Sequence, residues 1–138
     1  MTYYPQDSSY VVKNPGVIPS DLDQACSLVG SKPIYIQEAG YQTSSTCGSS
    51  PERQAGFVQQ LFTDWDKHVS QIPFVCFLRM NDYSAATAQN TANSFGLGNN
   101  PQFVGLLQTL GFRTYPTPSS FKSSWSELQN QTHLRGWW

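Results

Sequence analysis

Two apolar runs, joined by an amphipathic stretch, constrain the fold of this chain more than any other feature. Residues 34–36 and 72–78 are rich in Ile, Val, Phe and Tyr, and each run has the length of a strand. Between them, Val58, Leu61 and Val69 belong to a series of apolar residues at helical spacing. Strand, crossover helix and strand make a parallel βαβ unit. The sequence therefore predicts an α/β fold whose strands are buried on both faces.

Helix and turn signals place the remaining elements. Ser49 and Glu52 have capping-box spacing at the start of the crossover helix. Residues 84–99 fit either a short helix or a mobile loop. Four further elements are predicted: a short strand at residues 2–4 and helices at 20–29, 100–110 and 121–128.

Residues 32–41 read Lys-Pro-Ile-Tyr-Ile-Gln-Glu-Ala-Gly-Tyr, with a carboxyl group directly after the apolar run. This stretch resembles strand 7 of the retaining TIM-barrel glycoside hydrolases of clan A, whose motif is K-P-(I/V)-x-(I/V)-x-E-x-G-(Y/W). The resemblance implies that Glu38 is the catalytic nucleophile, at the C-terminal mouth where barrel enzymes hold their catalytic groups. It also implies that residues 72–78 correspond to strand 8 and residues 100–110 to helix 8.

The chain is too short for the whole fold of that family. A complete (β/α)8 barrel needs roughly 200 residues at the least, and this chain has 138. The expected fold class is α/β, a partial (β/α)8 barrel with two or three parallel strands and covering helices, from about strand 6 or 7 to helix 8. Such a piece has open edges and a bare apolar face. We therefore expect completion by a homo-oligomer or by the missing barrel half.

The resemblance also implies a carbohydrate site around Glu38. The side chains expected to contact substrate there are Tyr4, Tyr41, Arg79, Asp82 and Tyr83. Arg79 departs from the family, which usually has a Trp near this point that stacks beneath the sugar. Structural roles remain open as well: Glu38 can cap a strand, and Asp82 can cap a loop or pair with Arg79.

The family's general acid has no counterpart in the sequence. Retaining glycoside hydrolysis needs a second carboxyl group about 5–5.5 Å from the nucleophile. In clan A this acid follows an Asn at the end of strand 4, and no Asn-Glu pair occurs here. Asp82, at the mouth of the next strand, is a better-placed alternative than Glu52. We therefore expect weak or no hydrolysis by the chain alone.

Composition argues against several classes of partner. The net charge is −1 and 12% of residues are charged, so neither nucleic-acid nor membrane binding is expected. No apolar run has the length of a membrane span. The first residues are polar and aromatic, so no signal peptide is predicted. The localisation stays open. Aromatic residues make up 14% of the chain, which suits a neutral, polyhydroxylated ligand and also suits an ordinary neutral enzyme core.

The cysteines predict neither a metal site nor a cofactor. Cys26, Cys47 and Cys76 have no zinc or redox spacing. Cys26 and Cys47 could form a disulfide. Cys76 lies within an apolar run and is expected to be a buried thiol.

Residues 1–138 are expected to form one domain. Its last residues, 130–138, are predicted to be a flexible tail or a tail docked on this domain or on a partner through Trp137 and Trp138. Three hypotheses for the whole chain stay open: a glycosidase fragment, a non-catalytic module that binds sugar or self-associates, and an unrelated small α/β protein whose Glu38 is structural.

Overall fold

The computed structural model of the chain describes residues 1–115 and 120–137. Within these residues the fold is α/β, with a three-stranded parallel sheet and five α-helices, which confirms the predicted class. The elements in chain order are β1 (Thr2–Tyr3), α1 (Ile18–Val29), β2 (Tyr35–Ala39), α2 (Pro51–His68), β3 (Phe74–Phe77), α3 (Ala85–Ser94), α4 (Pro101–Thr109) and α5 (Ser123–Leu134).

Strand β2 is the centre of the sheet, between β1 and β3. Both pairings are parallel, with Thr2 opposite Glu38 and Tyr35 opposite Phe74. Among the described residues, no further strand pairs with the outer edge of β1 or of β3. Because the strands are parallel, their carboxyl ends meet at one end of the sheet, and Glu38 lies there.

The core lies between one face of the sheet and helices α1, α2 and α5. Ile36 of β2, Leu22 of α1 and Leu61 of α2 are fully buried and belong to one apolar cluster. Trp125 and Leu128 of α5 pack against the same cluster. Complete burial of one such aliphatic side chain stabilises the fold by roughly 1.5–3 kcal/mol. This face therefore holds the sheet and its helices together.

The opposite face of the sheet is exposed, so the prediction that the strands are buried on both faces is wrong. Tyr35 and Phe74 are 53% and 48% exposed, and Cys76 is exposed rather than a buried thiol. The reason is that α1, α2 and α5 all pack on the other side, so successive side chains alternate between core and surface. We call this surface the open face; it consists of Tyr35, Gln37, Glu38, Phe74, Cys76 and Leu78.

A bulge in β2 decides which face Glu38 joins. Between Ile36 and Ala39 the register with β3 shifts, so that β2 has one residue more than its partner strand. Ile36 and Ala39 are both buried in the core. In a regular strand Glu38 would share the core face with Ile36, because side chains alternate. The bulge instead leaves Gln37 and Glu38 together on the open face.

After β3 the chain forms two helices at the carboxyl end of the sheet before it returns to the core. Residues 84–99 contain helix α3, so the helix is confirmed and the alternative of a loop is wrong. Helix α4 packs on α3 and on the 3-10 turn Ser45–Cys47, whereas α5 packs beside α2. Residues 100–110 therefore do not pack beside the crossover helix, whereas α5 does. No described helix is long and apolar enough to cross a bilayer.

The N-caps of two helices differ from the sequence-based expectation, by one residue and by three. Ser50, rather than Ser49, caps α2 with its side chain. Helix α1 begins at Ile18, directly after a 3-10 turn, so that Val17 and not Ser20 is its N-cap. Its end is as expected, with Gly30 at a φ of +63°.

The three cysteines are free thiols, so the possible disulfide is not formed. Cys26 Sγ lies 3.8 Å from Nδ1 of His68. Cys47 Sγ donates a hydrogen bond of 3.2 Å to the carbonyl oxygen of Gln102. The two sulfur atoms therefore have different neighbours.

Helix α5 extends to Leu134, past the point where the 130–138 tail is predicted to begin. Trp137 then packs on α2, with its ring centroid 5.7 Å from that of Trp65 in an edge-on arrangement. Among the expected alternatives, Trp137 therefore docks on this domain. Trp138 lies outside the described residues.

One pair of substitutions tests the one-sided core. We expect Phe57→Ala, which empties a site that is 1% exposed, to lower the free energy of unfolding by about 3–5 kcal/mol. Phe74→Ala on the open face should lower it by less than about 1 kcal/mol. Urea unfolding at low protein concentration measures both values. Equal losses would mean that the open face is covered.

Candidate functional site

Glu38 lies partly buried at the C-terminal end of β2. Its Oε2 accepts a hydrogen bond of 3.1 Å from the hydroxyl of Tyr4, the residue that follows β1. Thr2 pairs with Glu38, and side chains alternate along a strand, so Tyr4 projects on the same side of the sheet as Thr2. Two neighbouring strands thus place a carboxyl group and a hydroxyl donor in contact.

Gly40 allows the Tyr4 ring to lie against the end of β2. A Cβ at this position would lie 2.6 Å from Cε1 of Tyr4 and 2.9 Å from Cδ1 of Leu110. Any larger residue would have to displace the ring that holds Glu38. The glycine two residues after the carboxyl group therefore has a direct packing reason in this structure.

The tyrosine in this pair is held in its protonated form. Burial raises the pKa of Tyr4 well above its usual range, and the neighbouring carboxyl of Glu38 raises that pKa further. A protonated tyrosine is a hydrogen-bond donor, and its hydroxyl here donates to Oε2 of Glu38. The pair is thus arranged to present an oriented carboxylate.

Arg79 links the end of β3 to the helices beyond it. Its guanidinium carbon lies 3.4 Å from the ring centroid of Tyr83. Its Nη1 donates a hydrogen bond of 2.8 Å to the carbonyl oxygen of Leu107 in α4. The side chain therefore fixes α4 over the carboxyl end of the sheet. The predicted contact of Arg79 and Tyr83 with substrate stays a prediction.

Asp82 is held by a buried lysine, and not by Arg79 as one alternative had it. Lys122 Nζ lies 2.8 Å from Oδ1 of Asp82, and the backbone N–H of Gly111 donates to the same oxygen. Lys122 also donates to Thr43 Oγ1 and to the Thr109 carbonyl oxygen. All three of its donors are thereby used.

Burial shifts the pKa values of both Asp82 and Lys122 toward their neutral forms. It raises the pKa of Asp82 and lowers the pKa of Lys122, while the contact between the two groups opposes both shifts. Breaking a buried pair leaves an uncompensated charge. The arrangement suits a structural clamp between β3, α4 and α5 better than a free acid. No local pattern pointed to Lys122, which follows Asp82 by 40 residues.

Tyr41 lies in the core, away from the open face. It is 1% exposed and stacks on Phe57 with ring centroids 5.2 Å apart. Its hydroxyl donates a hydrogen bond of 2.7 Å to the carbonyl oxygen of Lys13. This geometry fits a role for Tyr41 in positioning Gly40 and Glu38 better than it fits direct contact with a ligand.

The structure thus brings the predicted site residues together in two pairs, Tyr4 with Glu38 and Arg79 with Tyr83. Tyr41 and Asp82 have structural partners instead. Glu52, the other carboxyl considered as an acid, lies exposed in the first turn of α2. Within the described residues there is no group of three or more His, Cys, Asp or Glu side chains arranged to hold a metal ion. What the site offers is one oriented carboxylate.

The chain was compared with protein-family models, with curated proteins and with solved structures, and none of the three comparisons gave a match. The glycoside hydrolase resemblance therefore depends on the residues quoted above and on the placement of Glu38.

The contact between Tyr4 and Glu38 predicts how the pKa of Tyr4 changes when the charge of Glu38 is removed. In Glu38→Gln the negative charge is absent, so we expect the pKa of Tyr4 to fall toward its usual range, although burial keeps it raised. The fraction of Tyr4 ionised at a fixed alkaline pH should rise, as measured by NMR of ¹³C-labelled tyrosine with Tyr4→Phe for assignment. Glu52→Gln, an exposed carboxyl elsewhere, is the matched control. An unchanged titration in Glu38→Gln would contradict the contact.

Proposed function

We propose that this chain is the nucleophile-bearing part of a retaining β-glycoside hydrolase, with a carbohydrate as its ligand. The observation that carries the proposal is the placement of Glu38 at the carboxyl end of the central parallel strand. Its hydrogen bond from Tyr4 and the bulge that turns it out of the core support the same role. The three-stranded sheet with its covering helices would be part of a (β/α)8 barrel.

In this proposal each residue has a defined task. Glu38 attacks the anomeric carbon and forms a glycosyl ester, the covalent intermediate of a retaining mechanism. Tyr4 fixes the orientation of the carboxyl group, since its hydroxyl donates a hydrogen bond to Oε2. Holding the nucleophile in line with its target is worth several powers of ten in rate.

A general acid is the missing component. Asp82, the best-placed carboxyl in the sequence, is bound by Lys122 and by the N–H of Gly111. Protonation of a poor leaving group would then depend on a carboxyl from another part of the barrel. The chain by itself should accordingly hydrolyse unactivated glycosides weakly or not at all.

A glycosyl fluoride tests the nucleophile alone, because its cleavage does not require the missing general acid. In a 2-deoxy-2-fluoro-β-glycosyl fluoride the C1–F bond breaks and fluoride leaves with its electron pair, so no protonation is required. We expect one 2-fluoroglycosyl group per chain, attached to Glu38, when a panel of sugars is tested by intact mass and peptide mapping. Glu38→Gln should abolish the label, and Tyr4→Phe should slow it by about 10- to 100-fold because orientation is lost.

Tyr35→Phe is the matched control for this experiment, because Tyr35 lies on the same face of β2 and is exposed. It should label at the rate of the unchanged chain. Labelling at another residue, or none with any sugar of the panel, would contradict the role of Glu38.

A second function, that of a self-associating module, is favoured by the open face and the unpaired edges. Tyr35, Phe74 and Leu78 expose large apolar surface there. An open groove of about 580 Å³ lies at the amino end of β2, between Met1 and the last turns of α1. Exposed apolar surface next to free strand edges is a site for pairing with another chain. We propose that a further copy or the missing barrel half covers it.

The mass in solution tests this association. If copies pair through the open face, light scattering coupled to size exclusion should give a multiple of 15.4 kDa at raised concentration. Phe74→Lys should return the chain to a monomer, because a buried charge is costly. Leu134→Lys, at an exposed position at the end of α5, should leave the mass unchanged. A monomer at every concentration would exclude self-association and leave the missing half as the partner.

A further inference from the structure

A cavity of about 390 Å³ lies beside the Tyr4–Glu38 pair. Tyr4 forms part of its wall, and Leu78, at the end of β3, forms another part. The far side is built by the α3–α4 segment, from which Phe95, Leu97 and Phe103 contribute side chains. The two helices that interrupt the return of the chain to the core therefore form one side of an open cavity, and Tyr4, the partner of the proposed nucleophile, forms part of the other side.

Aromatic rings define the shape of this cavity. The ring of Phe103 lies 4.9 Å from that of Tyr10 and 5.9 Å from that of Phe95, measured between centroids. Aromatic pairs at such separations are mutually favourable. Phe95 is nevertheless 67% exposed, so one face of this cluster is available to a ligand.

Tyr10 is held in a costly conformation at the edge of the cavity. It is the one non-glycine residue with positive φ, +63°, in the part of the chain that the structure describes. The turn around it is fixed by Asp7, whose Oδ1 accepts from the N–H groups of Ser9 and Val11. The amide of Gln42 also donates to the Tyr10 carbonyl oxygen. Strained residues fixed in this way are concentrated at ligand sites.

The wall of the cavity is mainly apolar, and two of its polar groups are already engaged within the protein. The Tyr4 hydroxyl donates to Glu38, and Oε1 of Gln6 accepts from the amide of Gln42. None of the described residues that line the space is charged. A sugar ring placed here would lose hydration of several hydroxyl groups without enough partners, which is unfavourable. An apolar group has no such cost.

We propose that this cavity binds an aromatic aglycone, so that the substrates of the Glu38 site are aryl β-glycosides. The inference rests on the proposed function and adds the chemical class of the leaving group. The volume fits: a closed apolar cavity of about 150 Å³ accepts benzene, so about 390 Å³ accommodates one or two rings. A phenolic leaving group is also more acidic than an alkyl alcohol, which reduces the need for the missing general acid.

The test compares three probes on the intact chain: a 4-nitrophenyl β-glycoside, the methyl β-glycoside of the same sugar, and 4-nitrophenol alone. The sugar is the one that labels Glu38 best, or β-glucose if none does. Binding is measured by calorimetry and saturation-transfer NMR for the unchanged chain, Phe95→Ala and Phe121→Ala. Phe121 is a matched control, because it is a half-exposed phenylalanine that does not line the cavity.

We expect the aryl glycoside to bind more tightly than the methyl glycoside, and 4-nitrophenol to compete with it. Phe95→Ala should weaken aryl binding by about three- to tenfold, the value of one aromatic contact. It should leave methyl glycoside binding within about twofold, as should Phe121→Ala for every probe.

Several results would overturn the aglycone site. These are equal affinity for aryl and methyl glycosides, no binding of any aryl probe, and identical behaviour of Phe95→Ala and Phe121→Ala. Conversion of an oligomer to a monomer by Phe95→Ala, with unchanged probe binding, would assign the cavity to a second copy of the chain.

The proposed function and this inference can fail separately. Labelled Glu38 together with Phe95-independent binding would keep the nucleophile and reject the aglycone site. Phe95-dependent binding of 4-nitrophenol, without any label on Glu38, would keep an aromatic-binding cavity and reject the hydrolase.

Discussion

The extra residue in β2 is the feature on which the candidate site depends. Ile36 and Ala39 both face the core, and the strand can bury both only because its register with β3 shifts between them. Without the shift, the carboxyl group of Glu38 would point toward the helices, where an unpaired charge is very costly. Bulges commonly re-aim side chains next to active sites. Here the bulge turns Glu38 toward the hydroxyl of Tyr4.

A core on one side only explains the remainder of the architecture. Helices α1, α2 and α5 cover one face, and the apolar side chains of the other face stay exposed, as at Tyr35 and Phe74. Polar contacts at the carboxyl end of the sheet partly replace the packing that the exposed face lacks. Arg79 holds α4 through the Leu107 carbonyl oxygen, and the buried Lys122 joins Asp82 to the start of α5. These contacts fix α4, which forms part of the wall of the aromatic cavity, and they occupy side chains that had been candidates for substrate contact.

Much of the fold could be predicted from local signals. Apolar spacing located α2 and both longer strands, and Gly30 marked the end of α1. The site was less predictable. Tyr4 and Glu38 meet because β1 and β2 are paired, whereas Tyr41, only three residues from Glu38, packs against Phe57 in the core. The sequence-based prediction missed Lys122 and Tyr10 for the same reason. Both residues act through contacts with residues distant in sequence, and no local pattern encodes such contacts.

The sequence by itself determined the α/β class, the parallel order implied by a crossover helix, and the carboxyl group at the end of a central strand. These follow from periodicity and from the short range of helix and turn preferences. Only the tertiary structure decided which face of the sheet is buried, where the bulge lies, and that α5 rather than α4 packs beside α2. Those outcomes depend on which helices compete for one apolar face, and that competition is settled by packing between segments far apart in the chain.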